Sequence, residues 1–347
     1  MIFRPVYFMA FLLSFSCAIP VAFAGEDGAD NLSHIKENPH KTYISAAYEN
    51  DLIGSGEDQF YTSGVQLSYF SVENHPPELI KYLADSWIGF DVGQATATSF
   101  TFGQKIFTPQ DISNPAAQPL DRPWAGWLYG SVGMSNVYDT HVDSLGLTLG
   151  VIGPASLAEQ TQTFIHANVT DSPEPMGWDY QLHTEPGLIL SWERRWPLVV
   201  AAEIGGFRFI ADPNVNIAVG NVSTFAGVGA TMTFGPNQQQ LQDTPPRVPP
   251  AMPGSGYFDT PQGQDWNWYV FAGVNGRAVA RDIFLDGNSF RDSASVDKKN
   301  FVMDANGGLA LTFGDTRVSY TLVYRTKEFD GQDDPSVFGS MSVTQRF

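Results

Sequence analysis

Apolar and polar residues alternate over long stretches of this chain, and this period of two is its most constraining feature. Within 317–325, Val318, Tyr320, Leu322 and Tyr324 fall on one face, while arginine, serine and threonine fall on the other. A period of two is typical of a β-strand with two different faces. Bounded by Gly, Asn, Asp and Pro clusters, the alternation predicts about twelve strands. They span 42–50, 60–71, 98–107, 124–134, 142–151, 181–195, 197–211, 221–234, 267–281, 299–313, 316–328 and 337–347.

The length of these strands favours a membrane barrel over a soluble sandwich. Soluble strands usually have about five or six residues, whereas a tilted membrane strand needs about 9–11. The last strand ends at Phe347, with Met341 and Val343 on one face, and resembles the assembly signal of outer-membrane barrels. Aromatic residues near strand ends suggest interfacial girdles; they are Trp124, Trp127, Tyr129, Trp192, Trp196, Trp266, Trp268 and Tyr269. The predicted fold is an all-β, antiparallel, transmembrane β-barrel of the outer-membrane type.

The N-terminus predicts export. Arg4 precedes an apolar stretch at 7–21, and Ala22-Phe23-Ala24 reads as a cleavage site. We therefore expect a signal peptide at 1–24 and a single barrel domain at 25–347. The one cysteine, Cys17, lies in the signal peptide, so no disulfide is expected in the mature chain.

Charge and hydropathy exclude two other classes. Beyond residue 24 the chain has no apolar run of about 20 residues, which a membrane-spanning helix requires. The net charge of −18 argues against a nucleic-acid partner.

Two connections between the predicted strands differ from ordinary turns. The segment 235–265 is rich in glutamine and proline, which predicts irregular structure. Within the polar segment 152–180, the pattern predicts a helix at Ala155–Asn168.

Four polar clusters are candidates for chemistry. Asn50 and Asp51 end the first strand and Thr62 opens the second, so pairing would bring them to one rim; each also suits an ordinary turn. Arg122 could bind a phosphate or simply pair with Asp121. In the fourth cluster, Gln162 and His166 are four residues apart and share one face of a helix. Histidine is the commonest general base near neutral pH, although a lone histidine is more often a structural hydrogen-bonding group.

Taken in order, these motifs resemble the lipid A 3′-O-deacylase family. The sequence reads Glu-Asn-Asp at 49–51, Tyr-Thr-x-Gly at 61–64, Asp-Arg-Pro-Trp-Ala-Gly at 121–126, and Gly-Val-Ile-Gly-Pro at 150–154 before the Gln-x-x-x-His pair. The resemblance covers essentially the whole mature chain. It implies a twelve-stranded barrel and a calcium-dependent hydrolase that removes the 3′-linked acyloxyacyl group of lipid A. The implied site residues are Asn50, Asp51, Thr62, Gln162 and His166.

The expected chemistry is the hydrolysis of an ester. His166 would take a proton from water, with Gln162 or Asp51 orienting its ring, and calcium held by Asn50 and Asp51 would polarise the carbonyl. Arg122 and Lys105 are expected to bind the substrate. The expected partners are lipid A, or lipopolysaccharide, and the other lipids of the Gram-negative outer membrane.

Two other functions stay open. The segment 113–120 has no basic residue, whereas well-characterised family members carry a basic stretch there, which favours an outer-membrane phospholipase or esterase. The third possibility is a non-enzymatic barrel that kept the rim motifs for folding. A change in lipid A, released lysophospholipid, or no lipid change would discriminate among the three.

Overall fold

A computed structural model of the chain describes residues 42–54, 60–72, 76–86, 96–138, 140–170, 172–236, 245, 247, 248, 258 and 265–347. The strands are β1 (Thr42–Asn50), β2 (Phe60–Ser71), β3 (Thr96–Thr108), β4 (Ala125–Val137), β5 (Val142–Ile152), β6 (Glu185–Arg195), β7 (Val200–Ile204), β8 (Phe207–Gly220), β9 (Ser223–Pro236), β10 (Trp266–Asp282), β11 (Phe301–Phe313), β12 (Thr316–Arg325) and β13 (Ser336–Arg346). The helices are α1 (Glu78–Ser86), α2 (Ala158–Ile165) and α3 (Ile283–Asp286). A π-helical turn, His166–Thr170, continues α2.

The strands form one antiparallel sheet that closes on itself. Each strand from β1 to β6 pairs with the next, β1 also pairs with β13, and β6 pairs with β8. The short β7 lies beyond the end of β6 along β8, so the wall has twelve strand positions, as predicted. We call the end of the barrel that carries Thr42 and Phe347 the terminal rim, and the end that carries Asn50 the distal rim.

One predicted strand is wrong in detail. The range 197–211 was expected to be a single strand, but a hairpin divides it into β7 and the start of β8. The turn is Gly205-Gly206, and both glycines have positive φ angles of 60° and 83°. Glycine adopts this conformation without the steric cost that a β-carbon brings. β8 then continues to Gly220, beyond the predicted end.

The two faces of the wall have the inverse polarity of a soluble protein. In β12, Tyr320 is 40% exposed and Leu322 is also exposed, whereas Arg317 is 1% exposed and Thr321 is buried. Apolar residues therefore face outward and polar residues face the interior. This is the pattern of a barrel whose outer surface contacts lipid. The predicted outer-membrane type of barrel is confirmed.

Several aromatic residues expected in interfacial girdles lie elsewhere. Trp127 and Tyr129 face the interior, where their rings stack with centroids 4.5 Å apart, and Tyr269 is also buried. Trp127 and Tyr129 are two residues apart on β4, so both side chains lie on the same, inward face. Trp124 is buried beneath the segment that follows β5. The girdle interpretation is wrong for these four residues, whereas Trp266 is exposed.

Charged groups and part of one connection fill the interior. Asp304 accepts hydrogen bonds from Arg277 (3.2 Å) and, through both carboxylate oxygens, from Arg325 (2.8 Å each). From the predicted irregular segment 235–265, Arg247 and Phe258 are both buried against the inner wall.

Among the described residues, no helix is long and apolar enough to cross a membrane. The expected signal peptide at 1–24 lies outside the described residues and stays a prediction, as does the single domain at 25–347.

Candidate active site

A row of paired residues crosses the outer wall at the distal rim. Asn50 of β1 pairs with Ser63 of β2. Ser63 pairs in turn with Ile106 of β3, which pairs with Gly126 of β4. Directly opposed residues of antiparallel strands share one face. Because neighbouring strands are about 4.8 Å apart, the row spans about 14 Å.

The segment 153–184 covers one end of this row. Ala158 of α2 and Trp178 pack with Ile106 in one buried cluster. Gly126 permits this contact, because a β-carbon built there would overlap Ser156 Oγ and Ala158 Cβ. The helix predicted at Ala155–Asn168 is thus present, and it lies against the outer face of β3 and β4.

His166 is held in this cover with a defined tautomer. The side chain is 6% exposed, and Nδ1 lies 2.7 Å from the carbonyl oxygen of Pro173. A carbonyl only accepts, so Nδ1 carries the proton and donates it. The lone pair of the neutral ring therefore lies on Nε2, where a general base needs it. The expectation that Gln162 or Asp51 orients the ring is wrong for Nδ1, whose partner is a backbone carbonyl.

Gln162 lies one helical turn before His166 and is 1% exposed. Its Oε1 accepts a hydrogen bond of 2.9 Å from Trp178 Nε1. Its Nε2 is buried without a hydrogen-bond partner among the described residues. A buried donor without a partner is costly, and in a native site it calls for an explanation such as a ligand. The amide is thus fixed at one end and able to donate at the other.

Asn50 and Asp51 supply oxygen ligands at the other end of the row. The backbone N–H of Leu52 donates to Asn50 Oδ1 (2.9 Å) and to Asp51 Oδ1 (2.8 Å), so the turn chemistry considered above is present. Amide and carboxylate oxygens also suit calcium, which takes about 6–8 oxygen ligands. Within the described ranges no group of three or more His, Cys, Asp or Glu residues could hold a metal. Backbone carbonyls and water would have to complete the shell.

The structure describes Thr62 through its backbone. It lies in β2 beside Ser63, where the register with β3 shifts between Phe60 and Ser63. Such irregularities are common beside functional sites. The side chain of Thr62 lies outside the described part of the structure.

The two residues expected to bind substrate face the interior instead of the outer wall. Arg122 is buried with its guanidinium 5.0 Å from the ring centroid of Phe107 and 3.7 Å from Glu328. Lys105 Nζ lies 5.9 Å from the centroid of the same ring. The row at the distal rim ends at Asn50 on one side and at the segment that carries Gln162 and His166 on the other, with the backbone of Thr62 between them. Lys105 and Arg122, which face the interior, are not part of this row.

Two contributors were not identified from the sequence. Pro173 orients His166 through its backbone carbonyl, and Trp178 orients Gln162. A backbone carbonyl carries no sequence signal. Nothing in the spacing of Trp178 indicated Gln162, which lies sixteen residues away.

The contact at Gly126 gives a testable prediction. We expect Gly126→Ala to lower enzymatic activity strongly while the barrel still folds, because the new β-carbon would push the segment carrying His166 away from β4. Gly130→Ala is the matched control, since a β-carbon at this site on the same strand meets only Thr101 O at 3.8 Å. Activity per folded protein, with folding followed by heat-modifiable migration, checks both variants. Equal activities would contradict the packing role of Gly126.

Fold and site together define an outer-membrane-type β-barrel with a buried histidine and glutamine on its outer wall. A family profile described as outer membrane protein LpxR matches residues 8–347, and the chain belongs to that family. The resemblance to the lipid A 3′-O-deacylase family is thereby confirmed. The Gram-negative outer membrane is also the location that the family and the fold support.

Comparison with solved structures agrees on the fold. LpxR from Salmonella typhimurium is 21% identical, with a TM-score of 0.70 over 88% of this chain and 100% of that chain. At this identity the likeness shows the fold. The β domain of the Bordetella autotransporter BrkA also matches, with 9% identity and a TM-score of 0.44 over 89% of this chain and 100% of that one. No curated protein matches the chain.

Proposed function

We propose that this protein is an outer-membrane hydrolase that removes the 3′-linked acyloxyacyl group of lipid A, with His166 as the general base. The observation that carries the proposal is the Nδ1–H bond from His166 to the Pro173 carbonyl, which leaves Nε2 as the basic nitrogen. The family supports lipid A as the substrate. The distal rim carries the long connections 109–124, 153–184 and 283–300, and two further long connections, 72–95 and 237–265, lie at the terminal rim. We take the distal rim as the extracellular side because a lipid A deacylase must reach the leaflet that contains lipid A, and the site then opens towards that leaflet.

His166 and Gln162 have different roles in the proposed hydrolysis. His166 Nε2 accepts a proton from water, and the resulting hydroxide attacks the ester carbonyl carbon. Gln162 Nε2 donates a hydrogen bond to the oxyanion that develops. The same proton then passes from His166 to the departing alkoxide, which leaves as an alcohol and releases the acyl chain as a carboxylic acid. No covalent intermediate with the protein is needed.

Calcium is part of this proposal. Asn50 and Asp51 would hold it, and it would polarise the ester carbonyl as a Lewis acid. We expect chelation to abolish activity and added calcium to restore it.

Asp51→Ala is expected to lower activity and to raise the calcium concentration needed for half of the maximal rate, because one oxygen ligand is lost. Asn50→Ala should act in the same direction. Asp111→Ala is a control, since this exposed residue of the segment 109–124 bonds only within its own loop. A calcium titration of the folded variants checks the expectation. An unchanged calcium requirement in Asp51→Ala would contradict the ligand role.

A phospholipid esterase is the second candidate. The observation in its favour is the inward placement of Lys105 and Arg122, the two cations expected to bind lipid A. Purified protein incubated with defined lipids separates the two candidates. Release of an acyloxyacyl unit from lipid A supports the first, and release of lysophospholipid with intact lipid A supports the second. If neither lipid is cleaved, the chain is a non-enzymatic barrel.

A further inference from the structure

The connection between β9 and β10 places residues deep inside the barrel. β9 ends at Pro236 and β10 begins at Trp266, both at the terminal rim. Phe258 of the connection contacts Tyr43 near that rim, with ring centroids 5.9 Å apart. Arg247, in contrast, contacts Glu49 near the distal rim. Tyr43 and Glu49 are six residues apart on β1, or about 20 Å at the rise of a β-strand.

Arg247 meets β1 directly behind the candidate calcium ligands. Glu49 faces the interior and is buried, and its Oε1 accepts hydrogen bonds from Arg247 Nε (3.0 Å) and Val248 N (3.2 Å). The next two residues are Asn50 and Asp51. Because successive residues of a strand face opposite sides of the sheet, Glu49 makes the interior contact while Asn50, the first proposed ligand, faces outward.

A second contact ties Arg247 to the same place. Its guanidinium lies 5.5 Å from the ring centroid of Phe338 in β13. The turn after Asp51 packs on the backbone of that residue, since a β-carbon at Gly54 would overlap Phe338. Residue 339 pairs with Asn50. The guanidinium thus contacts Glu49 near the end of β1 and also Phe338, the residue on which the turn after Asp51 packs.

We propose that Arg247 is a positioning residue, which holds the Asn50–Asp51 end of β1 in place from inside the barrel through Glu49. The planar guanidinium suits this role because it can donate to a carboxylate while stacking on an aromatic ring. Removing it takes a charged partner away from a buried carboxylate, and Glu49 must then rearrange. An effect of Arg247 on catalysis rests on the proposed function. Its mechanical role, which is to hold the end of β1 in place, does not.

The mechanical role can be measured without any enzymatic assay. Cys17 is the only cysteine and lies in the predicted signal peptide, so Leu52→Cys gives a single site for a nitroxide label. Leu52 is 41% exposed, and its backbone N–H binds both Asn50 and Asp51. We expect Arg247→Met in this background to give narrower spectral lines, which report faster motion of the turn. A spectrum identical to that of the parent would overturn the proposal.

Arg346→Met is the matched control. Arg346 is also a buried interior arginine stacked on an aromatic ring, that of Phe258, but it lies at the terminal rim. Its loss should leave the label at position 52 unchanged, and equal loosening by both variants would overturn the proposal. Should Arg247→Met not fold, Arg247→Gln provides the same comparison, because its amide is neutral and too short to replace the guanidinium.

Activity supplies a second readout. Small misplacements of reacting groups can cost about 10²-fold in rate, so we expect kcat of Arg247→Met to fall by about that factor with little change in KM. A merely structural arginine would lower the folded yield and leave kcat per folded protein intact, which would contradict positioning. If the parent cleaves neither lipid, the proposed function has failed, and the label comparison still decides the role of Arg247.

Discussion

Replacing His166 with alanine is expected to lower kcat for ester hydrolysis by about 10²–10⁴-fold, the usual contribution of general-base catalysis. The barrel should still fold, because His166 lies outside the strands, in the turn after α2. His166→Asn should behave similarly, since an amide is not basic. The measurement is acyl release by purified, heat-modifiable protein.

The control for this experiment is His183→Ala. His183 belongs to the same long segment and is exposed, so its loss should leave kcat near that of the parent. A structural role for His166 would produce a lower folded yield with normal activity in the protein that folds. Full activity of folded His166→Ala would therefore end the proposed mechanism, although membership of the family would stand.

Asp304→Ala should produce the largest loss of stability. It would leave Arg277 and Arg325 without the carboxylate that both bind inside the barrel. Removing one partner of a buried ion pair typically costs about 3–5 kcal/mol. We expect the free energy of unfolding to fall by that amount, with a matching decrease in the urea midpoint.

Asp330→Ala is the comparison for stability. Asp330 pairs with Lys299, their side chains are 70% and 41% exposed, and exposed pairs contribute about 0–1 kcal/mol. Similar losses in the two variants would contradict the view that the interior network stabilises the barrel.

The strand pattern allowed the fold to be predicted because alternation is local. In β12, the outward Tyr320 and Tyr324 are each followed by an inward polar residue, Thr321 and Arg325, so neighbouring residues alone distinguish a lipid-facing wall from a soluble core. The failure at 197–211 has the same origin. Apolar residues continue on both sides of Gly205-Gly206, so two strands read as one.

The interior could not be predicted because it depends on register and on contacts between distant segments. Which face of β3 carries Lys105 follows from pairing with β2 and β4. The contact between Arg247 and Glu49 joins residues 198 positions apart. A proline-rich segment indicates irregular structure, but nothing local indicates that part of it enters the barrel.

The sequence predicted that Gln162 and His166 lie on one face of a helical segment, but it did not predict the contacts that orient them. The spacing of Gln162 and His166 placed both on one buried face of the helical segment, as the structure shows. Their orienting partners, Pro173 and Trp178, follow from how the segment folds over β4. Spacing alone could not supply that geometry.

Removal of the 3′-linked acyloxyacyl group of lipid A, the activity that we propose for this protein, can be measured by mass spectrometry. The lipid A is taken from Gram-negative cells without such an activity, which carry either this protein or the folded His166→Ala variant. We expect cells with the unaltered protein to contain lipid A lighter by one acyloxyacyl unit, and cells with the variant to contain intact lipid A. Intact lipid A in both, with the unaltered protein folded in the outer membrane and supplied with calcium, would contradict the proposed activity.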